Sequence, residues 1–207
     1  MSIIEKLATS LGRKDEVPNQ ELAAQIATTN NKKAIRELVE NLSNKSKDIQ
    51  QDCIKTLYEA GHLKPSLIAP YFNDFTGLLR SKNNRLQWGA MTALDAIALE
   101  NPGATFEALP ALAAAADSGS VITRDHFVGI LIKLCTVKQY AADAFVLFNE
   151  QLRHCPANQL PMYAENALPI INNSNKAAFV QTLTTRLNDF EKESKRKRVE
   201  KVLKKIR

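Results

Sequence analysis

The residue types that carry most enzymatic and metal chemistry are few in this chain, and they are scattered. Three histidines (His62, His126, His154) and three cysteines (Cys53, Cys135, Cys155) lie far apart. None forms HExxH, CxxC or another close pair, and a metal site needs three or four converging ligands. Cys155 stands beside His154 and Pro156. A Cys–His neighbour pair raises the thought of a thiolate nucleophile, but adjacent residues on a turn rarely orient for that. Asp48 and Asp52 are an i,i+4 acid pair on one helix face, whereas a glycosidase needs two carboxylates across a cleft. The phosphate-cradling and nucleophile-elbow patterns GxxxxGK[ST], GxGxxG and GxSxG are absent. The chain is therefore expected to be non-catalytic, with no cofactor and no bound metal.

The one dense charge cluster is Lys195, Arg196, Lys197 and Arg198. Residues 191–207 hold nine basic and three acidic side chains, and residues 1–190 hold nineteen of each. The whole net charge of +6 thus sits in the last seventeen residues. A protein that tracks nucleic acid along its length should be basic along a face; this one is basic at one end. The cluster has three readings: the solvated face of a capping helix, a docking patch for nucleic acid or another acidic partner, or a nuclear-import signal. Val199, Val202, Leu203 and Ile206 make an i, i+3, i+4, i+7 stripe beside it, which favours the capping helix.

Those residues must be positioned by helices. Only 7 glycines, 6% aromatics and much Ala and Leu favour an all-α protein. The apolar positions Ile49, Cys53, Ile54, Leu57 and Ala60 have helical spacing. Moving 37 residues on finds Leu86, Ala90, Met91, Leu94 and Ile97 in the same places. Two more such steps find Thr123, Phe127, Val128, Leu131 and Leu134, then Leu160, Ala164, Glu165, Leu168 and Ile171. A preceding helix repeats as well: Ile35 and Leu38, Phe72 and Phe75, Leu109 and Leu112, then Val146 and Phe148 after a one-residue slip. Pro65 and Pro102 stand where helices can start. Pro70, Pro110 and Pro169 fall inside helical patterns and predict kinks or breaks. Asn84, Ser120 and Asn158 are candidate N-caps, with Asn19 another near the start. Helices are expected to begin near residues 31, 48, 66, 85, 104, 121, 139 and 158. Irregular ends are expected as short helices over 2–11 and 19–29, and as helices over 174–190 and 193–206. Cys53 and Cys135 occupy apolar repeat positions and are expected to be buried and inert.

Helix pairs repeating every 37 residues resemble HEAT repeats. That family often has a proline in the first helix, as at Pro70 and Pro110, an Asp in the turn, and an Arg or Lys early in the second helix. Asp117 and Arg124 match in the third repeat, with Asn83 and Arg85 in the second. The resemblance covers about residues 31–190. It implies one domain over 1–207: an all-α, right-handed α-α superhelix (an armadillo-type α-solenoid) of about five helix pairs. Residues 1–30 would be an N-terminal cap, 31–190 the repeats, and 191–207 a basic amphipathic C-terminal helix.

The resemblance also implies that the second helix of each pair lines a concave groove. Gln51, Lys55 and Tyr58 would then face it, followed by Trp88, Thr92 and Asp95. Asp125, Gly129 and Ile132 come next, then Met162, Asn166 and Pro169, with Gln50, Gln87 and Arg124 at the ridge edge. The charges of this set cancel, and it holds the single tryptophan. A neutral groove with aromatic and Met contacts suits a protein or peptide partner better than phosphate. The expectation is an interaction scaffold with Trp88 central. The alternatives are nucleic-acid binding through the tail and a DNA alkylation-repair-like glycosylase, for which Trp88, Asp125 and Arg124 are the only candidates. No 18-residue apolar window, no signal-peptide core and an odd cysteine count lead to the expectation of a cytoplasmic protein without a membrane partner.

Overall fold

The computed structural model describes residues 2–206. They form α-helices and short 3-10 turns, with no strand among the described residues. The chain forms two compact units, one up to Phe127 and one from Val128 onward.

In the first unit, α1 (Val17–Thr29), α3 (Lys47–Leu63) and α6 (Asn84–Ile97) pack side by side as one layer. A second layer holds α2 (Lys32–Glu40), α4 (Pro65–Ile68) and α5 (Phe72–Leu78), against which α3 and α6 rest. Helices α7 (Pro102–Glu107) and α8 (Leu109–Ser118) follow, and α9 (Val121–Leu134) starts in this unit. In the second unit, α10 (Ala141–His154) packs on α12 (Lys176–Thr185), and α11 (Leu160–Asn166) packs on α13 (Glu193–Lys205). Each unit thus alternates between two helical layers, which is compatible with a helical repeat.

The repeat stripes are the core. Cys53, Ile54, Leu57 and Ala60 are buried, as are Leu86, Ala90, Met91, Leu94 and Ile97. Phe127, Val128, Leu131, Leu134, Leu160 and Ala164 continue the pattern. Thr123, an exception to the apolar pattern, is also buried; Ser120 Oγ lies 3.0 Å from its hydroxyl. The prolines break helices as the sequence requires: a 3-10 turn over Ala69–Tyr71 separates α4 from α5, and α7 stops just before α8. Another 3-10 turn, Leu168–Ile170, follows α11 at Pro169.

Several local expectations are corrected. The expected helix over 2–11 is only a 3-10 turn, Ile3–Lys6, because Leu7 is extended at φ −69°, ψ 152°. Asn83, not Asn84, caps α6 by accepting from the Arg85 N–H at 3.1 Å. Asn158 caps nothing, since α11 begins two residues later. Asn19 lies inside α1, fully buried. Its Oδ1 accepts from the Ala8 N–H (3.0 Å), and its amide donates to Asp52 (2.7 Å). Asp52 also accepts from the Thr9 N–H at 2.7 Å. The N-terminal segment is thus fastened to α3 through satisfied polar groups, the condition under which burying them is tolerable. The helix expected over 174–190 ends at Thr185 and passes into a 3-10 turn, Arg186–Asp189.

Candidate functional site

Two helical stripes and one loop residue build a cluster in the first unit. On α3, Lys55, Tyr58, Glu59 and His62 follow i, i+3, i+4 and i+7 spacing, so they share one face. On α6, Arg85, Trp88, Thr92 and Asp95 do the same at i, i+3, i+7 and i+10. Because α3 and α6 lie side by side, the stripes meet. The Tyr58 and Trp88 rings are tilted by 47° with centroids 5.9 Å apart, within the range of favourable aromatic pairs. The Arg85 guanidinium carbon lies 4.6 Å from the Trp88 ring centroid, and the Lys55 ammonium 5.0 Å from that of Tyr58. These are cation–π distances.

Glu16, just before α1, closes the cluster. One carboxylate oxygen accepts from Lys55 Nζ at 2.8 Å, and the other pairs with Arg85 Nη2. Lys55 also meets Glu59 at 2.7 Å. The four charges cancel. Burial alone would raise the Glu16 pKa, but hydrogen bonds from Lys55 and Arg85 outweigh it and hold the carboxyl below its usual range. Burial would lower the Lys55 pKa, and the two glutamates reverse that and raise it. Both groups are therefore charged at neutral pH.

The cluster decides how the expected groove residues are placed. Lys55 and Tyr58 are buried, each only 6% exposed, rather than open to a groove. Trp88 is half-buried. Thr92 is buried, with its hydroxyl bonded back to the Trp88 carbonyl at 2.9 Å. Gln87 donates to the Leu79 carbonyl at the end of α5 and so fastens α6 (3.0 Å). Asp95 Oδ2 lies at hydrogen-bond distance, 2.8 Å, from His126 Nδ1. Arg124 points to Asp117 at 4.0 Å, and Asp125 is half-buried. Gln51 remains half-buried and lines a polar cleft of about 480 Å³ with Gly12–Glu16, Asp48, Asp52 and Arg85. In the second unit, Met162 is half-buried and Asn166 exposed on α11.

The basic cluster belongs to α13. Val199, Val202 and Leu203 are buried beneath it, and α13 rests chiefly on α11. Lys195 donates to the Asn158 side chain (2.8 Å), and Arg198 grips Glu165 with two nitrogens at 2.8 and 2.5 Å. Arg196 pairs with Glu200 (3.0 Å) and Lys197 with Glu193 (2.9 Å) on α13 itself. Two of the four cations thus hold the helix to its neighbour. Asn158, expected as a cap, serves instead as the Lys195 acceptor.

Among the described residues no group of three or more His, Cys, Asp or Glu is arranged to hold a metal ion. His154 is largely exposed and bonds Glu150 at 2.8 Å, while Cys155 is buried. Cys155 is packed because Arg186 donates to both its carbonyl and that of Leu152 at 2.8 Å, drawing the end of α10 inward. Burial pushes the Cys53 and Cys135 thiols up to about 12. Cys53 is buried as expected, whereas Cys135 is only half-buried.

Sequence reasoning singled out Lys55, Tyr58 and Trp88 as groove residues and gave no site role to Arg85, Glu16 or Glu59. Glu59 carries a signal, the i,i+4 spacing to Lys55. Glu16 carries none: it stands 69 residues from Arg85, outside the repeat.

No family model matches the chain, and no curated protein does. Solved structures do. Three crystal structures of engineered proteins from the Northeast Structural Genomics Consortium resemble it in fold. One is 20% identical with a TM-score of 0.60, spanning 100% of this chain and 97% of its own. A second is 20% identical with a TM-score of 0.61, spanning 100% and 99%. The third is 19% identical with a TM-score of 0.58, spanning 98% of this chain and 57% of its own. At that identity the likeness concerns the fold alone. No described helix is long and apolar enough to cross a membrane.

Proposed function

We propose that the protein is a non-catalytic α-solenoid of HEAT-like helix pairs that binds a peptide or protein segment along its second-helix layer. The observation that carries this reading is the α3–α6 ridge. It presents a half-buried Trp88 packed against both the Tyr58 ring and the Arg85 guanidinium. Interface hot spots favour Trp, Tyr and Arg, and a preformed aromatic anchor loses little entropy on binding. The surrounding charges are neutralised within the ridge, which suits a peptide better than a polyphosphate backbone. Lys195 and Arg198 are engaged in holding α13, which weakens the reading of the tail as a nucleic-acid arm.

Selection from a random 12-residue peptide library tests the proposal. Selected peptides should shift the emission of Trp88, the only tryptophan. They should bind Trp88→Ala about thirtyfold more weakly, the equivalent of the usual 2 kcal/mol hot-spot threshold. Peptides indifferent to Trp88, or a DNA duplex bound instead with steeply salt-dependent affinity, would overturn it.

A further inference from the structure

The contact that fills the ridge is a carboxylate, and it comes from the chain's own loop. Lys55 and Arg85 belong to different helices, yet both aim at Glu16. Lys55 is the better buried of the two, its side chain 7% exposed; Arg85 is 30% exposed, and Glu16 43%. The receptor is thus more enclosed than its occupant. Helix α1 does not depend on the occupant, because Asn19, Leu22, Ala23 and Ile26 anchor it and the Glu16 side chain makes no cap. The loop before it, residues 11–15, is exposed and turns at Gly12, whose φ of +69° favours glycine. A side-chain rotation at Glu16 is therefore enough to vacate the site. Once vacated, it offers Arg85, which keeps a buried Nε without a hydrogen-bond partner, beside Lys55, which stays paired with Glu59 at 2.7 Å; the site is then left with one uncompensated positive charge. Trp88 lies directly against Arg85.

We propose that Lys55 and Arg85 form a receptor for a single carboxylate, occupied at rest by Glu16. In a complex it is taken by an Asp or Glu of the bound peptide, whose neighbouring apolar residue lies on Trp88. This rests on the peptide-binding reading above and names the partner's chemistry. The adjoining cleft sets a limit. It carries Asp15, Asp48 and Asp52 beside Arg13, Lys14 and Arg85, so with Glu16 displaced its charges cancel and it offers no net attraction to a run of acids. The partner is one acid beside an apolar residue, not a polyacidic tract. Glu16 acts as an internal competitor, and removing it should increase the population of the competent state.

The test applies the same random 12-residue library to the wild-type chain and to Glu16→Gln, with Glu16→Ala as a second variant. Circular dichroism and thermal unfolding check that each is folded. The expected peptides carry one Asp or Glu next to an apolar residue and bind Glu16→Gln at least tenfold more tightly than wild type. They should lose at least tenfold on Arg85→Gln, and as much when their own acid is changed to the amide. Peptides that need Trp88 but carry no acid and ignore Glu16 overturn this inference and leave the ridge as a peptide site. A library that yields no binder to any of the proteins overturns both.

Discussion

Gly89 tests the packing of α3 on α6 that underlies the ridge. A methyl group added there would lie 2.6 Å from Cγ1 and 3.2 Å from Cγ2 of Ile54. Ile54 is fully buried, and its β-branch leaves few rotamers, so no rotation clears both contacts. Gly→Ala inside a helix otherwise stabilises by about 0.5–1 kcal/mol. Overpacking a tight core costs about 1–3 kcal/mol. The clash is with a stiff, enclosed side chain, so the cost belongs in the upper part of that range, and Gly89→Ala should destabilise by about 1–2 kcal/mol net. Gly77 is the control. Nothing lies within 4 Å of a methyl there, and α5 is helical at that position. Gly77→Ala should be neutral or stabilising, by at most about 1 kcal/mol. Urea unfolding followed by Trp88 fluorescence reads the first unit directly, and an unchanged m-value licenses the comparison. Ile54→Ala removes both offending carbons, so the double variant should be more stable than additivity predicts by about 1 kcal/mol or more. If Gly89→Ala is as benign as Gly77→Ala, α3 and α6 do not meet at this turn and the ridge is misassembled.

Three further outcomes follow from the same structure. Leu94, fully buried in the last turn of α6, should cost about 2–5 kcal/mol on truncation to Ala; a loss below about 1 kcal/mol would place it outside the core. Deleting 191–207 uncovers the α11 surface beneath Val199, Val202 and Leu203, and light scattering should show aggregation; an equally stable, monodisperse truncation would make the tail a dispensable arm. The Arg198 hydrogen bond depresses the Glu165 pKa against the opposing effect of burial. Its contribution is therefore complete above the ordinary Glu pKa of about 4.3 and fades as pH falls through the lower folded value. Glu165→Gln should remove this dependence. Because both partners are more than a third exposed, the difference at neutral pH should be about 1 kcal/mol or less, and one that grows as pH falls would contradict the assignment.

The helices were legible because each packing stripe is local. A period of 3.6 within a helix and of 37 between helices requires no knowledge of distant partners, and Pro70, Pro110 and Pro169 interrupt helices by their own covalent geometry. What was hidden depends on side chains far apart in sequence. Asn19 has a capping residue's chemistry and sits near a helix start, yet a half-buried Asp52 and the Ala8 N–H claim it. Lys55 reads as a surface cation until Glu16 arrives from outside the repeat to neutralise it. Cys155 reads as a turn residue until Arg186 collects the carbonyls around it. In each case a long-range polar partner overrides the residue's average behaviour, and no local spacing records such partners.

The central claim is that the binding surface is the α3–α6 ridge. Amide and side-chain chemical-shift mapping of the full chain, titrated with a selected peptide, tests it most directly. The largest shifts should fall on Gln51, Lys55, Tyr58, Arg85 and the Trp88 indole, with the Glu16 side chain released. Shifts confined to α13 around Lys195–Arg198, with Trp88 unmoved, would contradict it.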